Sequence, residues 1–105
     1  MISHRSQMRV EQKEKMLAGD GTVQLTHFAE PSTMKNARLL AEIVLPLGAS
    51  IGEHAHENET EYYIILEGHG TVSDNGEELP VGPGDVVTTG GGASHSIKNT
   101  GRVPL

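Results

Sequence analysis

The chain has 105 residues, a formal charge of −6, six histidines and no cysteine. That length points to one domain, and the charge argues against nucleic acid and against an anionic membrane surface. Without cysteine there can be no disulfide and no thiolate metal site, so any metal must be held by His and carboxylate. Two Tyr, one Phe and no Trp leave an aliphatic core, with the four methionines as gap fillers. The N-terminal stretch has no apolar signal-like region and no apolar run is long enough to span a membrane, so a cytoplasmic protein is expected.

Residues 1–21 read as an N-terminal arm or short helix and residues 22–105 as the folded unit. "SQMRVEQKEKMLAGDG" (6–21) suits either a short helix capped by Ser6 and stopped by Gly19, or an extended arm. From Thr22 the signals are those of strands. "TVQLTHF" (22–28) alternates with period two, and "ARLLAEIVLPL" (37–47) is a longer apolar run ended by Pro46 and Gly48. "EYYIILEG" (61–68) is aromatic and β-branched, then stopped by glycine. "GTVSDNGEELPV" (70–81) reads as a hairpin turning at Asn75-Gly76, which suits positive φ. "VGPGD" (81–85) is a turn, "DVVTT" (85–89) a strand, "GGGAS" (90–94) a loop and "HSIKN" (95–99) a strand. Short strands with regular Gly and Pro punctuation predict an all-β sandwich or barrel. "NTGRVPL" (99–105) reads as a turn followed by a last strand that is either very short or missing.

His54 and His56 lie two apart, on one face of an extended segment. One ion can therefore take both imidazoles. Glu61 opens the next strand and can turn back to the same ion, and His95 begins a later strand that a barrel brings close. Three imidazoles and one carboxylate suit Mn, Fe, Co, Ni, Cu or Zn. Four protein ligands on a six-coordinate ion leave two positions for water or substrate. A divalent ion with one carboxylate keeps net positive charge, which favours anionic or enolisable oxygen ligands. Gly48 and Gly52 are expected to turn the backbone before the His pair, and Gly90, Gly91 and Gly92 to let backbone approach the site before His95.

These residues resemble the two motifs of the cupin superfamily. Gly48, His54, His56, Glu61 and Gly68 match G(X)5HXH(X)3-4E(X)6G at every fixed position. Gly84, Gly92, His95 and Asn99 match G(X)5PXG(X)2H(X)3N, with Gly90 where proline is usual. The resemblance covers residues 48–99, with the short inter-motif connection of small single-domain bacterial cupins of the RmlC-like type. It implies a small double-stranded β-helix, a jelly-roll barrel of two antiparallel sheets. It implies one divalent transition metal in the barrel mouth on His54, His56, Glu61 and His95, and a homodimer that pairs sheets and exchanges N-terminal strands. Replacing Pro by Gly at position 90 frees φ and is expected to leave that loop more mobile.

Around this set, Glu59 rivals Glu61 as the carboxylate, and spacing to Gly68 favours Glu61. Glu53, Glu57 and Glu59 read as a solvated acidic rim. Tyr63 and Ile65 share strand parity with Glu61, and Ile97 shares it with His95. Tyr63 is the one proton donor of suitable parity and the candidate catalytic residue. Arg38 and Glu42 read as a polar sheet face, His69 as solvent-facing, His4 as part of a loose terminus and His27 as structural. No Arg is placed to clamp a carboxylate, and Lys98 has the wrong parity to reach the mouth. Two functions fit: a metalloenzyme of dioxygenase, decarboxylase or isomerase type acting on a small oxygenated molecule, or a non-catalytic, metal-dependent binding or sensing module. An ion that only stabilises the barrel is the third reading.

Overall fold

The computed structural model describes residues 1–105. It contains nine strands and no α-helix: β1 (Val10–Glu14), β2 (Thr22–Ala29), β3 (Leu40–Val44), β4 (Ser50–Ala55), β5 (Glu61–Ile64), β6 (Gly70–Asp74), β7 (Glu77–Val81), β8 (Val86–Thr89) and β9 (Ser94–Asn99). All pairings are antiparallel, in three ladders of order β1-β2-β3, β4-β9-β6-β7 and β5-β8. The expected two-sheet jelly roll is present with one difference, since no ladder joins the β5–β8 pair to β3 within the chain. No helix is long and apolar enough to cross a membrane.

The core follows from the composition. Its buried hydrophobic residues are Val23, Leu25, Leu45, Ala49, Ile51, Ile65, Val72, Val81, Val87 and Ile97, all aliphatic, drawn from all three ladders. Period-two alternation sets the inward residues, as in β9, where His95, Ile97 and Asn99 are buried and Lys98 is exposed. Of the methionines, Met16 packs against this core. The β6–β7 hairpin turns at Asn75 (φ 49°) and Gly76 (φ 92°), the two positive φ values of a type I′ turn. At the far end, Leu105 and Leu45 exchange two backbone hydrogen bonds of 2.8 and 3.0 Å, so the short last strand amounts to one residue pair.

The N-terminal segment is extended and not helical. Ser6 caps no α-helix; a single 3-10 turn occupies Arg5–Gln7, and Val10–Glu14 then pairs with β2 of its own chain. The buried His27 ring on β2 contacts the Glu11 carboxylate on β1 and ties the two strands together, the structural role expected of it.

A second short turn, Met16–Ala18, lies across β4. Gly52 sits at the crossing, within β4, and makes no turn there. A Cβ on Gly52 would lie 2.0 Å from the Leu17 carbonyl oxygen, so only glycine allows this approach. The backbone before Gly48 does turn, with φ at 77° there. Gly52→Ala should therefore cost about 3 kcal/mol by overpacking against backbone. Gly48→Ala, with nothing within 4 Å of its added Cβ, should cost only the left-handed backbone penalty of about 1–2 kcal/mol. Urea unfolding of the two variants checks this ranking, and equal losses would sink the close-approach account.

Candidate metal centre

The β4–β9 ladder builds the site. Ile51 is opposite Ile97, and His54 is opposite His95, so three steps on β4 match two on β9. One extra residue is therefore bulged out of β4 between Ile51 and His54. In an unbroken strand Ile51 and His54 would face opposite ways. The bulge reverses the alternation, so that Ile51 stays in the core and His54 and His56 turn inward beside His95. Beyond the strand end, His56 N–H donates to the Ala93 carbonyl at 3.0 Å and Gly92 N–H donates to the His56 carbonyl at 2.8 Å. On the β5–β8 ladder, Glu61 stands opposite Thr89 and Tyr63 opposite Val87.

Four side chains meet there. His54, His56, Glu61 and His95 each offer one ligand atom, all within 4.8 Å of one another. His95 Nε2 lies 3.0 Å from His54 Nε2 and 3.1 Å from His56 Nε2. Glu61 Oε1 lies 2.9 Å from His95 Nε2, 3.0 Å from His56 Nε2 and 3.8 Å from His54 Nε2. Donors bound at about 2.1 Å to one ion sit about 3.0 Å apart at adjacent octahedral corners and about 3.4 Å apart in a tetrahedron. The short edges match the octahedral spacing.

The outer ring nitrogens fix which atoms point inward. His54 Nδ1 lies 2.7 Å from the Gly52 carbonyl oxygen. A carbonyl only accepts, so Nδ1 carries the proton and Nε2 presents a lone pair. His95 Nδ1 lies 2.8 Å from Thr89 Oγ1, and His56 Nδ1 lies 3.4 Å from Glu59 Oε1. His54 therefore aims a lone pair at the centre. Glu61 Oε1 is a buried acceptor without a hydrogen-bond donor. Such an orphaned oxygen among imidazole nitrogens fits a cation, and the cluster could hold a metal ion.

Burial pushes the Glu61 carboxyl up, but the His95 contact and the positive charge available on His56, His95 and His54 outweigh it and hold the carboxyl below its ordinary value. Tyr63 stacks on His95 with ring centroids 4.6 Å apart and planes at 7°. Burial first, then the neighbouring Glu61, pushes its phenol far above the ordinary value. The phenol thus keeps its proton at neutral pH.

Several expectations need correction. Glu59 is not a cluster ligand; on the exposed rim it lies between His56 and Arg38, whose Nε and Nη2 both donate to its carboxylate. Arg38 precedes β3 and pairs with Glu59 instead of lying on a sheet face, whereas Glu42 lies within β3 and pairs with Arg5. Gly90 does not simply free the loop, because its missing Cβ would lie 2.6 Å from Thr60 Oγ1. Lys98 needs no correction, since it faces away as its parity requires, 3.7 Å from Asp20. Thr89 escaped the sequence reading. Its parity within "DVVTT" places it inward, but its partner ring lies six residues away in an unrelated strand.

A nine-stranded antiparallel barrel with a His3Glu cluster defines a small jelly-roll domain whose cluster could hold a metal ion. The profile of the family described as "Cupin domain" matches residues 41–105, and the chain belongs to the cupin family. Over its whole length it is 43% identical to the oxalate-binding protein of Thermotoga maritima, covering 88% of that protein. The crystal structure of a predicted oxalate decarboxylase of Thermotoga maritima superposes with a TM-score of 0.94 at 43% identity, covering 100% of this chain and 92% of that one. A cupin domain of Schizosaccharomyces pombe shares the fold alone, with a TM-score of 0.71 at 16% identity over 90% of this chain and 61% of that one.

Thr89→Val keeps the side-chain volume and leaves the buried His95 Nδ1 unpaired. It should cost about 1–3 kcal/mol in denaturant unfolding, against a smaller loss for Thr89→Ser. Equal stability of the Val variant and wild type would remove Thr89 from the support of His95.

Proposed function

We propose that His54, His56, Glu61 and His95 hold one divalent transition metal, which binds a small oxygenated anion at the barrel mouth, with oxalate the first ligand to try. The observation that carries this reading is the buried, donor-less Glu61 oxygen facing three imidazole nitrogens. Mn, Fe, Co, Ni, Cu and Zn all suit the donor set. When bound, such an ion would supply Lewis acidity and net positive charge. The chain's own part is to aim three Nε2 lone pairs inward, keep the carboxylate ionised and offer the Tyr63 hydroxyl as a fixed hydrogen-bond donor. Identity with a protein named for oxalate binding supports the same class of ligand.

A catalytic reading, of dioxygenase, decarboxylase or isomerase type, is favoured by Tyr63, which touches His95 and lies beside Glu61. A phenol that holds its proton this firmly steers a bound oxygen and serves poorly as a base. The binding module therefore comes first.

Elemental analysis of the dialysed protein should find about one transition metal per chain, and His54→Ala and His95→Ala should lose it. Calorimetric titration should show oxalate binding to metal-loaded protein and none after chelation. Oxalate binding that is indifferent to chelation would overturn the metal's role. Carbon dioxide or formate released from oxalate, and abolished in Tyr63→Phe, would promote the catalytic reading.

A homodimer is part of the same proposal. Tyr62, Ile64, Leu66 and Val86 are large apolar side chains exposed on the β5–β8 ladder and the turn that follows it, and a second copy would cover them. Sedimentation should give twice the 11.2 kDa chain mass, and Ile64→Glu should give monomers. A monomeric wild type would refute the dimer.

A further inference from the structure

Each of the three imidazoles in the cluster has a partner on its outer nitrogen, and the partners differ in kind. His54 has a backbone carbonyl, His95 a threonine hydroxyl, and His56 the Glu59 carboxylate. Only the third is charged, and only the third is itself held by another residue. We propose that Glu59, clamped by Arg38, is the positioning residue of His56, which keeps the proton on Nδ1 and makes this ring the strongest nitrogen donor of the centre.

The geometry supports each link. Arg38 is contributed by the segment before β3, and its planar fork closes on both oxygens of Glu59. Such two-point pairing orients a carboxylate as a single contact would not. The oriented Oε1 then faces His56 Nδ1 at 3.4 Å. The fork occupies both Glu59 oxygens, including the Oε1 that faces His56. A carboxylate accepting the outer N–H of a ligating imidazole fixes the tautomer and raises its basicity. The backbone leaves room for this arrangement. Gly90 lies against Thr60 Oγ1 and the Glu59 carbonyl, where a Cβ would stand 2.6 and 3.2 Å away. The 56–60 loop can therefore sit close to the loop before β9, with Glu59 turned back to His56.

The inference rests on the metal reading above, and Co2+ binding separates the two. Wild type and variants are titrated with Co2+ against a competing chromophoric chelator, and the loaded proteins are examined for hyperfine-shifted ring N–H signals. Glu59→Ala should weaken Co2+ binding by about 10- to 100-fold. Glu59→Gln keeps an acceptor oxygen and should recover most of the loss. Arg38→Ala should weaken binding less, and should add nothing in the Glu59→Ala background. Glu57→Ala, an exposed neighbour in the same loop, should bind as wild type does. In the loaded protein the His56 Nδ1–H signal should vanish by exchange in Glu59→Ala while those of His54 and His95 persist, which a merely structural lesion would not select. A Glu59→Ala variant that binds Co2+ as tightly as wild type with all three signals intact overturns this inference and leaves the metal reading standing. Wild type that takes up no Co2+ defeats the metal reading, and the inference falls with it.

Discussion

The site depends on one extra residue in β4. A strand presents alternate side chains to opposite faces, so a chain that needs Ile51 in its core cannot also aim His54 and His56 inward without breaking the alternation. The bulge between Ile51 and His54 breaks it once, in the ladder with β9 that also carries His95. The bulge needs room on its outer side. Gly52 lies within the bulged stretch and lets the Met16–Ala18 turn cross at a distance no side chain would permit. The segment before β2 is thereby tied to the geometry of the centre. Ser50 reinforces the tie, because its N–H donates to the Asp20 carbonyl and its Oγ accepts from the Asp20 N–H.

Around the bulge, the donors are oriented from outside. Each ring has a neighbour on its outer nitrogen: the Gly52 carbonyl for His54, Thr89 for His95 and Glu59 for His56. The Gly52 peptide thus makes the close approach and also sets the tautomer of the first histidine in the motif. Asn99 serves the opposite end of β9. Its amide donates to the Leu45 and Val103 carbonyls and its oxygen accepts from Gly101 N–H, which closes the chain over the core. The His and Asn positions that bracket β9 therefore divide its labour, one end building the centre and the other sealing the barrel.

Much of this was legible in the sequence, and the parts that were not share a cause. Local signals reported local structure well. Period-two alternation found β2 and β9, Asn75-Gly76 found its turn, and the spacing of His54, His56, Glu61 and His95 found the cluster. The scarcity of aromatic residues correctly implied an aliphatic core. What escaped were facts of tertiary register. Nothing in "GASIGEHAH" reveals that Ile51 and His54 share a face, since the extra residue is counted only against β9. The approach of Leu17 to Gly52 joins segments far apart in sequence, so Gly52 looked like a turn residue. Arg38 and Glu59 are 21 residues apart, and strand parity, applied to a residue that precedes its strand, put Arg38 on a sheet face. The polar stretch 6–21 offered no period strong enough to choose between helix and strand, and pairing with β2 decided the matter.

The same geometry separates the role of an ion in stability from its role in function. A buried carboxylate oxygen without a hydrogen-bond donor, as at Glu61, is unfavourable by itself. A cation bound there would relieve this and so stabilise the native barrel, and a melting temperature that falls on chelation would carry no information about chemistry. The spacing of the donors is more discriminating. Near-3 Å edges fit adjacent octahedral corners, and four protein donors do not complete an octahedron. A purely structural ion is better served by a closed set of ligands. Four side chains with short edges near 3 Å, with Tyr63 stacked on one of them and Glu59 clamped by Arg38, form a cluster that could hold a metal ion.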